Sequence, residues 1–155
     1  MSGALSNSPA EIILEFMIDN ALASRFNADS IWPIFYNFLP DTKNEGTSTS
    51  VNQNALCVYD TSAQVLGRIM YDGEFKENHG IQIKVRAKSE SVGWLKAKSI
   101  LNSLDSVRRA SVTISANTYI VHALSRSGDV QRLGTRQETN SKEFTLNYLV
   151  TVTSI

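Results

Sequence analysis

The chain of 155 residues contains one cysteine, three prolines and a charged fraction of only 19%. The single cysteine, Cys57, excludes an internal disulfide. Its place between Leu56 and Val58 predicts a buried thiol, which suits a reducing compartment such as a cytoplasm. A charged fraction below the usual quarter favours a surface reserved for contact with another subunit. A plain soluble monomer is the alternative interpretation.

Long apolar segments are also missing from the sequence. No apolar run approaches the roughly 18 residues that a membrane-spanning helix needs, so no segment is expected to cross a membrane. The N-terminus lacks a basic start followed by an apolar run and a small-residue cleavage site. A signal peptide is therefore not expected.

Spaced catalytic and metal-binding motifs are absent as well: there is no HExxH, CxxC, GxSxG, P-loop or GxGxxG. His79 precedes Gly80 in a predicted turn, and His122 lies in a predicted strand far along the chain. Cys57 with a distant histidine would be a nucleophilic pair, but its apolar neighbours favour a packed thiol. We therefore expect no catalytic residues, no metal site, no cofactor and no enzymatic activity.

The formal net charge is zero, yet the charges are unevenly distributed along the chain. Residues 1–83 hold ten acidic and four basic residues, a net charge of −6, whereas residues 84–109 hold seven basic and two acidic residues, a net charge of +5. Two interpretations remain open: scatter over solvated faces, or an acidic surface of one copy that meets a basic surface of the next. The residues of such a subunit or tube interface would be Glu11, Glu15, Asp19, Lys84, Arg86, Lys96 and Lys98.

A nucleic-acid-binding patch is the competing interpretation of the basic segment. Lys84, Arg86, Lys88, Lys96 and Lys98 could lie together on a strand and a helix. No aromatic residues are interleaved with them for base stacking, and no sequence-reading element is recognisable. Sequence-specific binding of nucleic acid is therefore not expected.

Local patterns predict two helices. Ser8-Pro9-Ala10-Glu11 is typical of a helix N-terminus, and the first helix is expected to run to about Ser24 with apolar residues on most of its sides. A second helix is expected from about Ser91 to Val107. Its apolar residues recur at spacings of three and four and predict one buried stripe: Trp94, Ala97, Ile100, Leu101, Leu104 and Val107.

Alternating and apolar segments predict strands on both sides of the second helix, near residues 31–39, 55–59, 66–71, 81–86, 112–114, 119–124 and 144–153. Asp72-Gly73 and Ser127-Gly128-Asp129 predict turns, and the polar residues 41–54 are expected to form a mobile loop. The predicted class is α+β, a mixed, largely antiparallel sheet with two main helices packed on it, in a single domain spanning residues 1–155.

The order of several short segments resembles a known family. LGRIMYDGE at 66–74 is followed by GIQIKVR at 80–86 and by GWLKA at 93–97, and Leu133-Gly134 and the FTLN strand at 144–147 come later. Together they resemble the tail-terminator and minor-capsid-type proteins of long-tailed bacteriophages, over roughly residues 55–155.

This resemblance implies a structural subunit that forms a homohexameric ring on the finished tail tube, stops tube polymerisation and offers a head-joining surface. Its partners would be other copies of itself, the tail tube protein and the head–tail connector protein, in the virion tail and, during assembly, in the host cytoplasm. No membrane and no sequence-specific nucleic acid are implied, although DNA could pass through the ring.

The alternatives are a head-completion or neck protein and a small nucleic-acid-binding or hydrolytic module. A closed ring needs complementary surfaces on each subunit. Charge reversal at Lys96 and Lys98 is therefore expected to weaken the ring.

Overall fold

The computed structural model describes residues 5–25, 31–39, 54–61, 64–68, 75–136 and 141–154. Two helices pack on a mixed, mostly antiparallel sheet, so the predicted α+β class is confirmed. The predicted loop near 41–54, except for Asn54, and the predicted Asp72-Gly73 turn lie outside the described residues. The elements are α1 (Pro9–Asp19), β1 (Ser24–Arg25), β2 (Pro33–Tyr36), β3 (Ala55–Asp60), β4 (Gln64–Arg68), β5 (Phe75–Ala87), α2 (Glu90–Asp105), β6 (Ala110–Ile114), β7 (Asn117–Arg126), β8 (Gln131–Arg136) and β9 (Ser141–Ser154).

Helix α1 begins as the sequence predicts but ends earlier. The Ser8 side chain accepts a hydrogen bond from the Glu11 N–H at 3.2 Å, with Pro9 at the first helical position. The predicted end at Ser24 is wrong, because Ala21 adopts a left-handed φ of 58° and the Leu22 N–H bonds back to the Met17 carbonyl. Six apolar positions of α1 are buried, which accounts for its broad apolar surface: Ala10, Ile12, Ile13, Leu14, Phe16 and Met17.

The sheet is organised around two long neighbouring strands, β5 and β9. The strand order is β1-β2-β3-β5-β9-β7-β6, with the first two pairings parallel and the others antiparallel. Strands β3 and β4 pair in succession with β5, and β7 and β8 pair in succession with β9. Gly128, with a φ of 102°, lies between β7 and β8 in the predicted turn. The sequence had predicted no strand at β8.

Both helices cover the same face of this sheet. Helix α1 packs on β2, β3, β5 and β6, and α2 packs on β5, β7 and β9. Their buried side chains form one core with alternate residues of the strands, including Val58, Ile83 and Leu146, which are aligned across β3, β5 and β9. Because side chains alternate along a strand, the residues between them lie on the other side, here called the opposite face: Cys57, Tyr59, Gln82, Lys84, Arg86, Glu143, Thr145 and Asn147.

Helix α2 buries four of the six residues of the predicted stripe; Trp94 is not buried, and Val107 lies beyond the helix end and is half-buried. Gly93, Ala97, Ile100, Leu101 and Leu104 are buried. Trp94, expected to be buried, is 40% exposed. The close approach of the helix explains the difference, because a Cβ atom at Gly93 would lie 2.6 Å from Phe144 Cε2 and 2.9 Å from Ala87 Cβ.

Asp60 connects β3 to the start of α1. Its Oδ1 accepts a hydrogen bond from the Ala10 N–H at 2.9 Å, and its Oδ2 accepts one from the Tyr36 hydroxyl at 3.1 Å. The first N–H groups of a helix have no partner within the helix. The Asp60 carboxylate therefore satisfies a donor that α1 itself leaves open.

Replacing Asp60 by alanine is expected to lower the free energy of unfolding by about 1–2 kcal/mol, since it removes this capping acceptor. Asp60→Asn keeps an oxygen that can accept from Ala10 and should lose less. Urea denaturation followed by circular dichroism measures both variants. Equal losses in the two would contradict a capping role.

Candidate assembly surfaces

The three acidic residues predicted at an interface all lie within α1 but differ in their surroundings. Glu11 accepts a hydrogen bond from the Asn7 side-chain amide at 3.1 Å, and Glu15 forms an ion pair with Arg25. Asp19 is exposed in the last helical turn, which contains no basic residue, and it forms no ion pair with another described residue. Of the three, Asp19 is the one for which the described residues provide neither an ion pair nor a hydrogen bond to its carboxylate.

The four basic residues predicted at an interface do not share one surface. Lys84 and Arg86 lie on the opposite face of the sheet, whereas Lys96 and Lys98 belong to α2 on the helix-covered side. The sheet lies between the two pairs. A single basic patch made of the strand and the helix, as the nucleic-acid interpretation requires, is not formed.

Lys84 and Arg86 are integrated into the subunit. The Lys84 ammonium lies 3.7 Å from the Glu143 carboxylate on β9. Arg86 is aligned with Glu143 across β5 and β9, is 0% exposed and interacts with other groups of the chain. A fully buried guanidinium cannot take part in a contact made at the surface of this fold.

Lys96 and Lys98 both lie against tryptophan rings. The Lys96 ammonium lies 5.3 Å from the centre of the Trp32 ring, and burial lowers its pKa. The Lys98 ammonium lies 4.8 Å from the centre of the Trp94 ring and 2.9 Å from Asp129 Oδ1. That hydrogen bond lowers the pKa of the Asp129 carboxyl.

An exposed apolar group on α2 was missed by the sequence analysis. Val92 is 42%, Trp94 40% and Leu95 68% exposed. The sequence feature that indicates this orientation of the helix is the spacing of Gly93 and Ala97. Two small residues four apart lie on one face of a helix and allow that face to approach a sheet closely. Once Gly93 faces the sheet, its neighbours Val92 and Trp94 must lie towards the flanks of the helix.

The side chains considered for chemistry have structural surroundings. Cys57 is fully buried, and burial raises the pKa of its thiol. His122 lies in β7, as predicted, with its ring 2.8 Å from the Thr153 hydroxyl. The predicted turn at His79 is wrong, because His79 lies inside β5 opposite Val150 on β9.

Within the described residues, no group of three or more His, Cys, Asp or Glu side chains could hold a metal ion. In the same part of the chain, no helix has both the length and the hydropathy of a membrane span.

The fold and these surfaces define the chain as an α+β protein with two helices on one face of a mixed sheet. No protein-family model matches the sequence, and no curated protein matches it. Among solved structures, it is similar to a chain described as "Virion of native gene transfer agent (GTA) particle". The two share 14% sequence identity over 77% of this chain and 78% of that chain, with a TM-score of 0.45. At this level of similarity, nothing about the function of the present chain follows.

Proposed function

We propose that the chain is a structural component of a phage-like virion, and specifically a tail terminator that forms a ring on the completed tail tube. The observation that carries the proposal is the order of the segments at 66–74, 80–86, 93–97 and 144–147, which resembles that of tail terminators. The ring stops tube polymerisation and provides the surface to which the head-side connector joins. The function is binding rather than catalysis.

The surfaces of the subunit support an assembly role on physical grounds. A ring requires two different, complementary surfaces on each copy. The chain exposes apolar residues on α2, whose burial by a partner is favourable, and on α1 an exposed carboxylate without a cation in its helical turn, which a cation of a partner can pair with. The separation of its basic residues onto two sides of the sheet disfavours the nucleic-acid alternative. A head-completion or neck protein would use similar surfaces and remains the alternative within the same class.

Electron microscopy of the purified protein, alone and mixed with tail tubes, tests the proposal. We expect six-fold rings and tubes capped at one end, with tail length altered when the protein is omitted from assembly. A protein that stays monomeric, does not join tubes and does not affect tail length would contradict the proposal. A neck protein would instead join the head-side connector and leave tube length unchanged.

A gel-shift assay addresses the remaining alternative. Binding to nucleic acid through phosphate contacts weakens steeply with salt. A shift that persists at high salt would therefore support a specific nucleic-acid-binding module rather than a terminator.

A further inference from the structure

Two exposed apolar residues of α2 are neighbours on the helix surface. Leu95 lies three residues and Lys96 four residues after Val92, so these three side chains lie on one side of the helix, whereas Trp94 lies on the other flank beside Lys98. The Lys96 ammonium lies over Trp32 on the neighbouring segment. We call Val92, Leu95 and Lys96 the α2 patch.

The composition of the α2 patch is typical of a subunit contact. Single exposed apolar residues are common on protein surfaces, but Val92 and Leu95 are neighbours on the helix surface, and their joint burial is favourable. Contact sites combine an apolar or aromatic centre with a charged rim. Leu95 and Val92 provide such a centre, and Lys96 and Lys98 provide the rim.

The charges of the rim indicate the occupant. Lys96 has no carboxylate partner among the described residues, and Lys98 shares Asp129 with Arg126, which lies 3.8 Å from the same oxygen. Arg126 also lies 3.9 Å from Asp105 Oδ2, so the excess positive charge of the rim is that of Lys96. The surface that covers it should carry a carboxylate without a partner of its own.

The C-terminal end of α1 provides such a carboxylate. The carbonyl ends of a helix carry a partial negative charge, so an acidic residue there is unfavourable and a cation there is favourable. Asp19 is exposed in the last turn, no basic residue accompanies it in that turn, and the half-buried Ile18 lies beside it. An incoming lysine would compensate both Asp19 and the helix end.

We propose that the α2 patch of one copy binds the Asp19 end of α1 in the next copy. The two surfaces are different, so the contact is head-to-tail and can close into a ring. This inference rests on the proposed ring-forming function and identifies which surfaces make the ring.

The apolar part of the contact is tested with Leu95→Glu, which places a charge at the centre of the patch. We expect loss of rings, measured by sedimentation velocity and electron microscopy, with an unchanged circular dichroism spectrum because Leu95 is 68% exposed. The matched control is Asn102→Glu, an exposed position on the same helix two turns away. It should assemble as the unaltered protein does.

The charged part is tested by exchanging the two charges. Asp19→Lys and Lys96→Glu should each weaken association by about tenfold or more, and the double variant should recover most of the loss. Recovery of association in the double variant is expected only if the two residues contact each other directly.

The outcomes separate this inference from the proposed function. If the unaltered protein forms no ring, alone or on tubes, the proposed function fails and the inference fails with it. If Leu95→Glu forms rings as well as the control does, the inference is overturned and the ring function remains. If Leu95→Glu loses rings but the double charge exchange recovers nothing, Asp19 is not the occupant and the proposed contact is wrong.

Discussion

Gly93→Val is expected to lower the free energy of unfolding by about 3 kcal/mol, which is a large part of the stability of a small domain. A Cβ atom at Gly93 would lie 2.6 Å from Phe144 Cε2 and 2.9 Å from Ala87 Cβ, both far inside van der Waals contact. Phe144 is 1% exposed within the core, so its ring cannot move without displacing its neighbours. The helix must therefore move away from β9. Thermal and urea denaturation measure the loss.

Two further variants separate overpacking from helix propensity in this experiment. Ser99→Val places the same side chain at an exposed position of α2 and should cost only a few tenths of a kcal/mol. The double variant Gly93→Val/Phe144→Leu lacks the ring atoms at the clash. Its loss of stability relative to Phe144→Leu alone should therefore be smaller than the loss of Gly93→Val relative to the unaltered protein. Similar losses at residues 93 and 99 would show that close packing is not the reason for the glycine.

Arg86→Ala is expected to lower the free energy of unfolding by about 3–5 kcal/mol, because it removes a fully buried charged group together with its interactions within the chain. Arg86 is 0% exposed, interacts within the chain and is aligned with Glu143 across β5 and β9. The Glu143 carboxylate lies 3.7 Å from the Lys84 ammonium, so this part of the opposite face carries charges of both signs. The truncated side chain also leaves a cavity.

Lys88→Ala is the matched control, since Lys88 is exposed two residues further along and its removal should change stability by less than about 0.5 kcal/mol. The comparison decides whether Arg86 acts inside the subunit or between subunits. If the Arg86→Ala protein keeps its stability but no longer assembles, the structural role is contradicted. Arg86 would then be a residue of the subunit interface, as the sequence predicts.

Features that depend on neighbouring residues were predicted well. The start of α1 follows from Ser8 and Pro9, because a cap involves residues within one turn of each other. Most of the 14-residue strand β9 follows from the alternation at 144–153. The end of α1 was missed because the left-handed turn at Ala21 replaces continued helix with a contact back to Met17, which no residue pattern marked.

The candidate interface depended much more on long-range structure. The sequence identified Asp19 and Lys96 only as two of seven charged residues. Ion pairs and burial then separated them from the rest: Glu15 is paired with Arg25, Lys98 with Asp129, and Arg86 is buried. Such pairing joins residues from different elements, so charge counting along the chain could not reveal it.

The sequence by itself determined the fold class, because caps, alternation and helical periodicity are local consequences of backbone geometry. Only the tertiary structure decided which residue of α2 faces the sheet: Gly93 is buried directly over Phe144, and Trp94 reaches the same ring from the flank of the helix. It also decided on which side of the sheet each basic residue lies. The register of β5 with β9 places Lys84 and Arg86 opposite the helices, away from Lys96 and Lys98. Register is fixed by pairing between distant segments, and a shift of one residue would exchange the two faces.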